Sequence, residues 1–114
     1  MIWCSKYRRA VLTQEIAYRL SELLIKKSAD LELEIVEMNI MPEHVHIFVK
    51  AKPIHSPQYL VGQLKGYSSR ILRQEFPKLR SRLPTLWTRS YYIDSVGRLN
   101  EYTIKKYVQN QKNK

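Results

Sequence analysis

The feature that most constrains the fold is residues 44–50, where β-branched side chains alternate with histidine and phenylalanine. Alternation with a period of two predicts a strand that turns one face toward the core and the other away from it. The first face is predicted to carry Val45, Ile47 and Val49, and the second His44, His46 and Phe48. The residues Met41-Pro42-Glu43 predict a tight turn leading into this strand.

The other segments complete an α+β pattern in the order βαββαβ, followed by a further helix. Strands are also predicted at residues 2–11, 31–40 and 86–96, and a change in the apolar phase near residue 35 predicts a β-bulge. Helices are predicted after a Thr13 cap, from Ser56-Pro57 to Phe76-Pro77, and at about 99–112. This order is typical of the ferredoxin-like or RRM-like fold, a four-stranded antiparallel sheet with two helices on one face, here with an added C-terminal helix. We expect a single domain of residues 1–114.

The chain carries 20 Lys and Arg against 10 Asp and Glu, and its charge of +10 is concentrated in the second half. Residues 65–97 have 7 basic and 2 acidic groups and residues 98–114 have 5 and 1, whereas residues 1–64 have 8 and 7. Such an excess favours polyanionic partners, of which nucleic acid is the commonest in a cell. A solvated basic face or an anionic membrane surface is the alternative.

Membrane insertion and disulfide bonding are not expected. No run approaches the roughly 20 apolar residues of a spanning helix, and no signal-peptide core follows Met1. The single cysteine, Cys4, cannot form an internal disulfide and is interpreted as a small buried hydrophobe on a strand. We therefore expect a cytoplasmic location without a membrane partner.

His44 and His46 form the most specific local motif. Residues i and i+2 of a strand point the same way, with Cβ atoms about 6–7 Å apart, so both imidazoles can reach one metal ion. An H-x-H triplet alone is weakly specific, and histidines that face solvent or make hydrogen bonds are the alternative. Neither Cys4 nor His55, which lies in a predicted solvated loop, has the spacing to complete a zinc site.

Tyr107 and Gln111 are four residues apart on the predicted last helix and are therefore neighbours on its surface. A phenol can attack phosphorus when a cation stabilises the charge that develops on the phosphate. A carboxamide oxygen is a hard ligand that suits Mg²⁺ or Mn²⁺ better than Zn²⁺. From spacing alone, Tyr107 is more simply a packing aromatic. Seven other tyrosines compete for a chemical role, with Tyr102 the next candidate.

Six motifs resemble, in order, those of the single-tyrosine transposases of the HUH endonuclease superfamily. These are the IS200-like, TnpA-type enzymes of the smallest bacterial and archaeal insertion sequences. The motifs span nearly the full length of the chain. They are Trp3-Cys4-Ser5-Lys6-Tyr7-Arg8-Arg9, Met41-Pro42-Glu43-His44-Val45-His46-Ile47-Phe48-Val49, Leu64-Lys65-Gly66-Tyr67-Ser68-Ser69-Arg70, Leu86-Trp87-Thr88-Arg89-Ser90-Tyr91-Tyr92, Ser95-Val96-Gly97 and Ile104-Lys105-Lys106-Tyr107-Val108-Gln109-Asn110-Gln111.

The resemblance implies a chemistry for these residues. His44 and His46 match the paired histidines of the family motif, and Gln111 matches the third metal ligand, for Mg²⁺ with Mn²⁺ as a substitute. Tyr107 matches the nucleophile, which implies a covalent 5′-phosphotyrosine and a released 3′-hydroxyl on single-stranded DNA with hairpin ends. It further implies a homodimer of joined sheets in which the tyrosine helix of one subunit completes the site of the other, with Gly97 as a hinge.

Binding to DNA is expected to depend on basic residues in the second half of the chain. The candidates are Lys65, Arg70 and Arg73 on the second helix and Arg89 on the last strand. The alternative function is a non-catalytic nucleic-acid-binding module on the same fold, whose exposed aromatic side chains would stack on unpaired bases. Such a module would have no need of the histidine pair, Tyr107 or Gln111.

Overall fold

The computed structural model describes residues 1–94, in which three strands and three α-helices are formed. In chain order these are β1 (Ile2–Cys4), α1 (Gln14–Asp30), β2 (Glu34–Met41), β3 (His44–Lys50), α2 (Pro57–Glu75) and α3 (Pro77–Arg82). No helix within residues 1–94 combines the length and the apolar character needed to cross a membrane.

The sheet is antiparallel with the order β1-β3-β2, so the strand that carries the two histidines is the central one. A two-residue turn, Pro42-Glu43, joins β2 to β3. The register between these strands shifts between Ile35 and Glu37, which confirms the predicted bulge. A bulge places an extra residue in one strand, and this accounts for the change of apolar phase along the sequence.

The first strand is shorter than predicted. β1 ends at Cys4, and residues Lys6–Arg8 form a 3₁₀ turn in which Tyr7 and Arg8 have φ angles of 60° and 52°. A left-handed backbone cannot continue a strand. The prediction of a strand over residues 2–11 was therefore wrong beyond Cys4.

The predicted four-stranded sheet is a three-stranded one within residues 1–94. The segment from Leu86 to Tyr92 runs antiparallel beside β1, but it makes only isolated bridges, Ile2 to Tyr92 and Ser5 to Trp87. Between the bridges, the carbonyls of residues 88–90 accept hydrogen bonds from Lys65 Nζ at 2.6, 3.3 and 3.2 Å. This interrupts the ladder, because carbonyls turned toward a side chain on α2 do not pair with β1.

The helix starts follow the predicted caps. Thr13 Oγ1 accepts a hydrogen bond from the Ile16 amide at 3.5 Å, and Ser56 Oγ accepts one from the Tyr59 amide at 3.1 Å. α2 ends before Pro77, as expected, but the short helix α3 that begins at this proline was not predicted. Proline fits the first turn of a helix, where its missing N–H costs nothing, so one residue can stop α2 and start α3.

Both long helices bury their apolar sides in one core with the inner face of the sheet. Trp3, Val45 and Ile47 supply the sheet side of this core, each at most 1% exposed. The rings of Trp3 and Trp87 meet edge to face at 5.9 Å, and Trp87 Nε1 donates to Ser68 Oγ on α2 at 3.1 Å. The core therefore occupies the valine face of β3, and the histidines lie on the opposite face.

Candidate metal centre and nucleic-acid interface

The structure places His44 and His46 side by side on β3. Their ring centroids are 4.7 Å apart and the rings are tilted by 56°. The buried side chains of Val45 and Ile47 alternate with them and anchor the strand in the core. His46 is only 5% exposed, whereas His44 remains partly exposed. The predicted shared direction of the two side chains is confirmed, whereas their binding of one metal ion stays a prediction.

Flanking strands frame the pair on both sides. Cys4 of β1 and Met41 of β2 lie opposite His44, and Asn39 of β2 lies opposite His46. Directly opposed residues of antiparallel strands project to the same face, so these side chains surround the histidines. Cys4 has a free, partly buried thiol on this face. Asn39 Nδ2 is buried and makes no hydrogen bond within the described part of the chain. A buried N–H donor that could bind a ligand atom therefore lies beside His46.

Glu43 is a functional candidate that the sequence analysis did not identify. Its Oε1 lies 2.8 Å from Nδ1 of His44. An ionised carboxylate can only accept hydrogen bonds, so this contact requires the proton on Nδ1 and leaves Nε2 as the ring nitrogen that could bind a metal. The turn is held from outside, since Ser5 N donates to the Glu43 carbonyl at 2.9 Å and Leu12 N to the Pro42 carbonyl at 3.0 Å. The sequence feature that could have identified Glu43 is its position directly before the H-x-H triplet.

The donors that are present fit a weakly held divalent cation. Two imidazoles supply ring nitrogens as ligands, and such a pair alone binds a divalent cation weakly. Within residues 1–94, no cluster of three or more His, Cys, Asp and Glu side chains could complete a site. The predicted third ligand Gln111, the predicted nucleophile Tyr107 and the predicted hinge Gly97 lie outside the described residues. His55, predicted to be solvated, is partly buried and stacks on Tyr59 at 4.8 Å, not on either histidine of the pair.

The four basic residues predicted to bind DNA differ in what their charged groups contact. Lys65 donates to the three carbonyls of residues 88–90, and burial lowers its pKa from the ordinary value. Arg73 Nη1 donates to the Leu83 carbonyl at 3.1 Å. Arg70 is exposed, with its guanidinium 5.9 Å from the ring centre of Tyr67, and Arg89 is exposed as well. Contact with DNA stays a prediction for all four residues, but the side chains of Lys65 and Arg73 already hold backbone carbonyls within the protein.

Comparison with known proteins decides the family. The family described as "Transposase IS200 like" matches residues 1–111. The chain belongs to the IS200-like transposase family. It is therefore an enzyme of the class that cleaves DNA and transfers its strands, and the alternative of a non-catalytic binding module is not supported.

Individual relatives agree with this assignment. The ISDra2 transposase TnpA of Deinococcus radiodurans is 37% identical over 116 residues, covering 100% of this chain and 83% of the relative. The transposase for insertion sequence element IS200 of Salmonella typhimurium is 30% identical over 113 residues, covering 97% and 74%. A crystal structure from Deinococcus radiodurans, provisionally described as a transposase, superposes with a TM-score of 0.78 at 35% identity, covering 96% of this chain and 86% of that one.

Proposed function

We propose that this transposase cleaves and rejoins single-stranded DNA at the ends of an insertion sequence, with Tyr107 as the nucleophile. The observation that carries the proposal is the histidine pair. In a chain of this family, two imidazoles 4.7 Å apart share the non-core face of the central strand, with Nδ1 of His44 held by a carboxylate. A purely structural role would not require two polar rings on one face, one of them buried and the other partly exposed.

The proposed reaction is a transesterification that conserves the number of phosphate ester bonds. The phenolic oxygen of Tyr107 attacks a backbone phosphorus, the bond from phosphorus to the 3′-oxygen breaks, and the phenolic proton ends on the released 3′-hydroxyl. The DNA end stays attached as a 5′-phosphotyrosine. Attack on that linkage by the 3′-hydroxyl of another strand reverses the step and rejoins DNA, so no external energy source is needed.

We assign His44, His46 and Gln111 as the residues that would hold Mg²⁺, with Mn²⁺ as a substitute. When bound, the ion would polarise the phosphodiester and offset the negative charge of its transition state. Three neutral donors bind such an ion weakly, and the phosphate of the DNA would add the missing negative ligand. Metal and DNA are therefore expected to bind cooperatively.

We further propose a homodimer in which the tyrosine helix of one subunit serves the histidine pair of the other, on DNA ends that form hairpins. The family resemblance supports this arrangement. The strand position of the histidines is compatible with it, because the pair lies on the face of the sheet opposite the core.

The deciding experiment looks for the covalent intermediate. Protein, Mg²⁺ and a 5′- or 3′-labelled hairpin oligonucleotide with single-stranded flanks are mixed and then denatured in SDS. We expect a protein–DNA adduct that carries the label on the 3′ side of the cut, and no adduct in EDTA or with a fully duplex oligonucleotide. A labelled adduct on the 5′ side would contradict the proposed polarity, and cleavage without any adduct would exclude a tyrosine intermediate.

Replacing Glu43 should weaken the metal site without touching its ligands. In Glu43→Ala, His44 loses the acceptor that orients its ring, and Mn²⁺ affinity in the presence of DNA should fall roughly 10- to 100-fold. Glu43→Gln keeps an oxygen that can accept from Nδ1 and should retain most of the affinity. Mn²⁺ titration followed by electron paramagnetic resonance measures both. Glu34→Ala, which removes an exposed carboxylate at the start of β2, is the control, and equal affinities for the two alanine variants would contradict the role of Glu43.

Charge reversal at Arg70 should weaken DNA binding in a salt-dependent way. Each phosphate contact that is lost lowers the slope of log affinity against log salt by about 0.7 for single strands and 0.9 for duplex. We expect Arg70→Glu to reduce both the affinity and this slope, as measured by fluorescence anisotropy between 50 and about 200 mM salt. Lys26→Glu makes the same change in net charge at an exposed position on α1. If both variants lose the same affinity, the effect is one of overall charge and Arg70 makes no specific contact.

A further inference from the structure

The segment between β1 and α1 exposes an aromatic ring among basic side chains. We call residues Lys6-Tyr7-Arg8-Arg9 the basic loop. Tyr7 is 65% exposed, Arg8 and Arg9 are exposed, and Lys6 Nζ lies 5.2 Å from the centre of the Tyr7 ring. An exposed aromatic ring flanked by cations is the combination with which proteins hold unpaired nucleotides, because the ring stacks on a base and the cations contact phosphates.

The backbone of the basic loop is strained at the residues that carry these side chains. Tyr7 and Arg8 are consecutive non-glycine residues in the left-handed region, with φ angles of 60° and 52°. Glycine would adopt this backbone without strain, yet the positions hold two bulky side chains that gain little burial. Strain of this kind persists only where the surroundings impose it, and it is concentrated at binding and catalytic sites.

Hydrogen bonds impose the loop conformation from both sides. Ser5 is fully buried, its hydroxyl donates to the carbonyl of Arg9, and its carbonyl accepts from Arg8 N at 2.9 Å. Lys6 N donates to the Leu86 carbonyl at 2.8 Å. The exposed side chains are therefore presented by a backbone that is already fixed, so little ordering is required when a ligand binds.

The basic loop adjoins the histidine pair. Cys4 is the cross-strand partner of His44, and Ser5 N bonds to the carbonyl of Glu43, the residue before His44. The Cα atoms of the paired residues Cys4 and His44 are about 5 Å apart, and the three residues from Cys4 to Tyr7 span at most about 10 Å. The Cα atom of Tyr7 therefore lies within about 15 Å of that of His44. That is within reach of a few nucleotides on a strand whose phosphate is held at the pair.

We propose that the basic loop binds the unpaired nucleotides beside the phosphate to be cleaved. Tyr7 stacks on a base, and Arg8 and Arg9 contact the phosphates on either side of it. This inference rests on the proposed function and adds a binding surface to it in the first half of the chain, where the net charge of residues 1–64 gives no indication of one.

The test compares two fluorescent oligonucleotides, a hairpin with a single-stranded extension and the same hairpin without it, in EDTA so that no cleavage occurs. Tyr7→Gly should bind the extended oligonucleotide about tenfold more weakly and the bare hairpin as well as wild type does. Because glycine accepts the positive φ, its melting temperature should be unchanged or higher. Tyr7→Phe should bind like wild type, since stacking needs the ring and not the hydroxyl. Arg8→Gln and Arg9→Gln should each lower the salt slope by about 0.7.

Tyr18→Ala is the control, because it removes an equally exposed tyrosine ring, 70% exposed on α1, without placing glycine in a helix. Tyr18 lies on the core side of the sheet, so the affinity of this variant for both oligonucleotides should be unchanged. Wild-type affinity of Tyr7→Gly for the extended oligonucleotide would overturn the inference, as would an equal loss on the bare hairpin. Adduct formation by wild-type protein on the extended oligonucleotide tests the proposed function separately. If the wild-type protein forms the adduct and Tyr7→Gly binds normally, only the proposed role of the loop is wrong. If the wild-type protein binds neither oligonucleotide, both the role of the loop and the proposed function are wrong.

Discussion

His44→Ala is expected to abolish cleavage of single-stranded DNA while leaving affinity for it within about twofold in metal-free buffer. The substitution removes one of three proposed ligands, and an ion held by neutral donors has no charged ligand in the protein to compensate. Losing the charge stabilisation of the transition state should lower the cleavage rate by at least about a thousandfold, since single preorganised donors already contribute 10²- to about 10³-fold. Adduct yield and strand cleavage over time measure the effect.

The matched control for this variant is His55→Ala. His55 is also partly buried, but it lies in the connection between β3 and α2 and stacks on Tyr59. It should cleave at nearly the wild-type rate. The metal assignment is wrong if wild-type protein cleaves undiminished in EDTA, or if His44→Ala and His55→Ala lose the same activity.

Tyr107→Phe is expected to be inactive alone and to recover activity when paired with His46→Ala in mixed dimers. The proposed nucleophile is absent from the first variant, and a proposed metal ligand is absent from the second. If the tyrosine helix serves the partner subunit, one of the two sites in a mixed dimer combines a wild-type Tyr107 with a wild-type histidine pair. Activity should then reach up to about half that of wild type per dimer, against a loss of about 10⁴-fold or more for either variant alone.

Mixed dimers are prepared with two different affinity tags and purified through both, so that their composition is known before the assay. A site built within one subunit would leave each half of the mixed dimer with one defect, and no activity would return. Adduct formation by Tyr107→Phe alone would move the nucleophile to another tyrosine. Tyr102 is then tested first and Tyr7 second, because Tyr7 lies on the basic loop beside His44.

The sequence by itself determined the features that depend on neighbouring residues. The alternation of residues 44–50 sufficed to place both histidines on the non-core face of a strand, because side-chain direction reverses at each residue of any strand. Caps at Thr13 and Ser56 were readable because a hydroxyl bonds to an amide only three residues away. The bulge near Ile35 was readable from a change of apolar phase within ten residues.

Tertiary structure decided whatever depends on groups distant in the chain. Residues 86–92 have the composition of a strand, but Lys65 on α2, more than twenty residues away, binds three of their carbonyls and interrupts the ladder. The same contacts show that Lys65 holds the backbone of residues 88–90, whereas the net charge of the segment had indicated only a role in binding DNA. The conformation of the basic loop likewise depends on a distant segment, because Lys6 N donates to the carbonyl of Leu86. Local spacing fixes the direction of a side chain, but the partner that it meets depends on how distant segments pack.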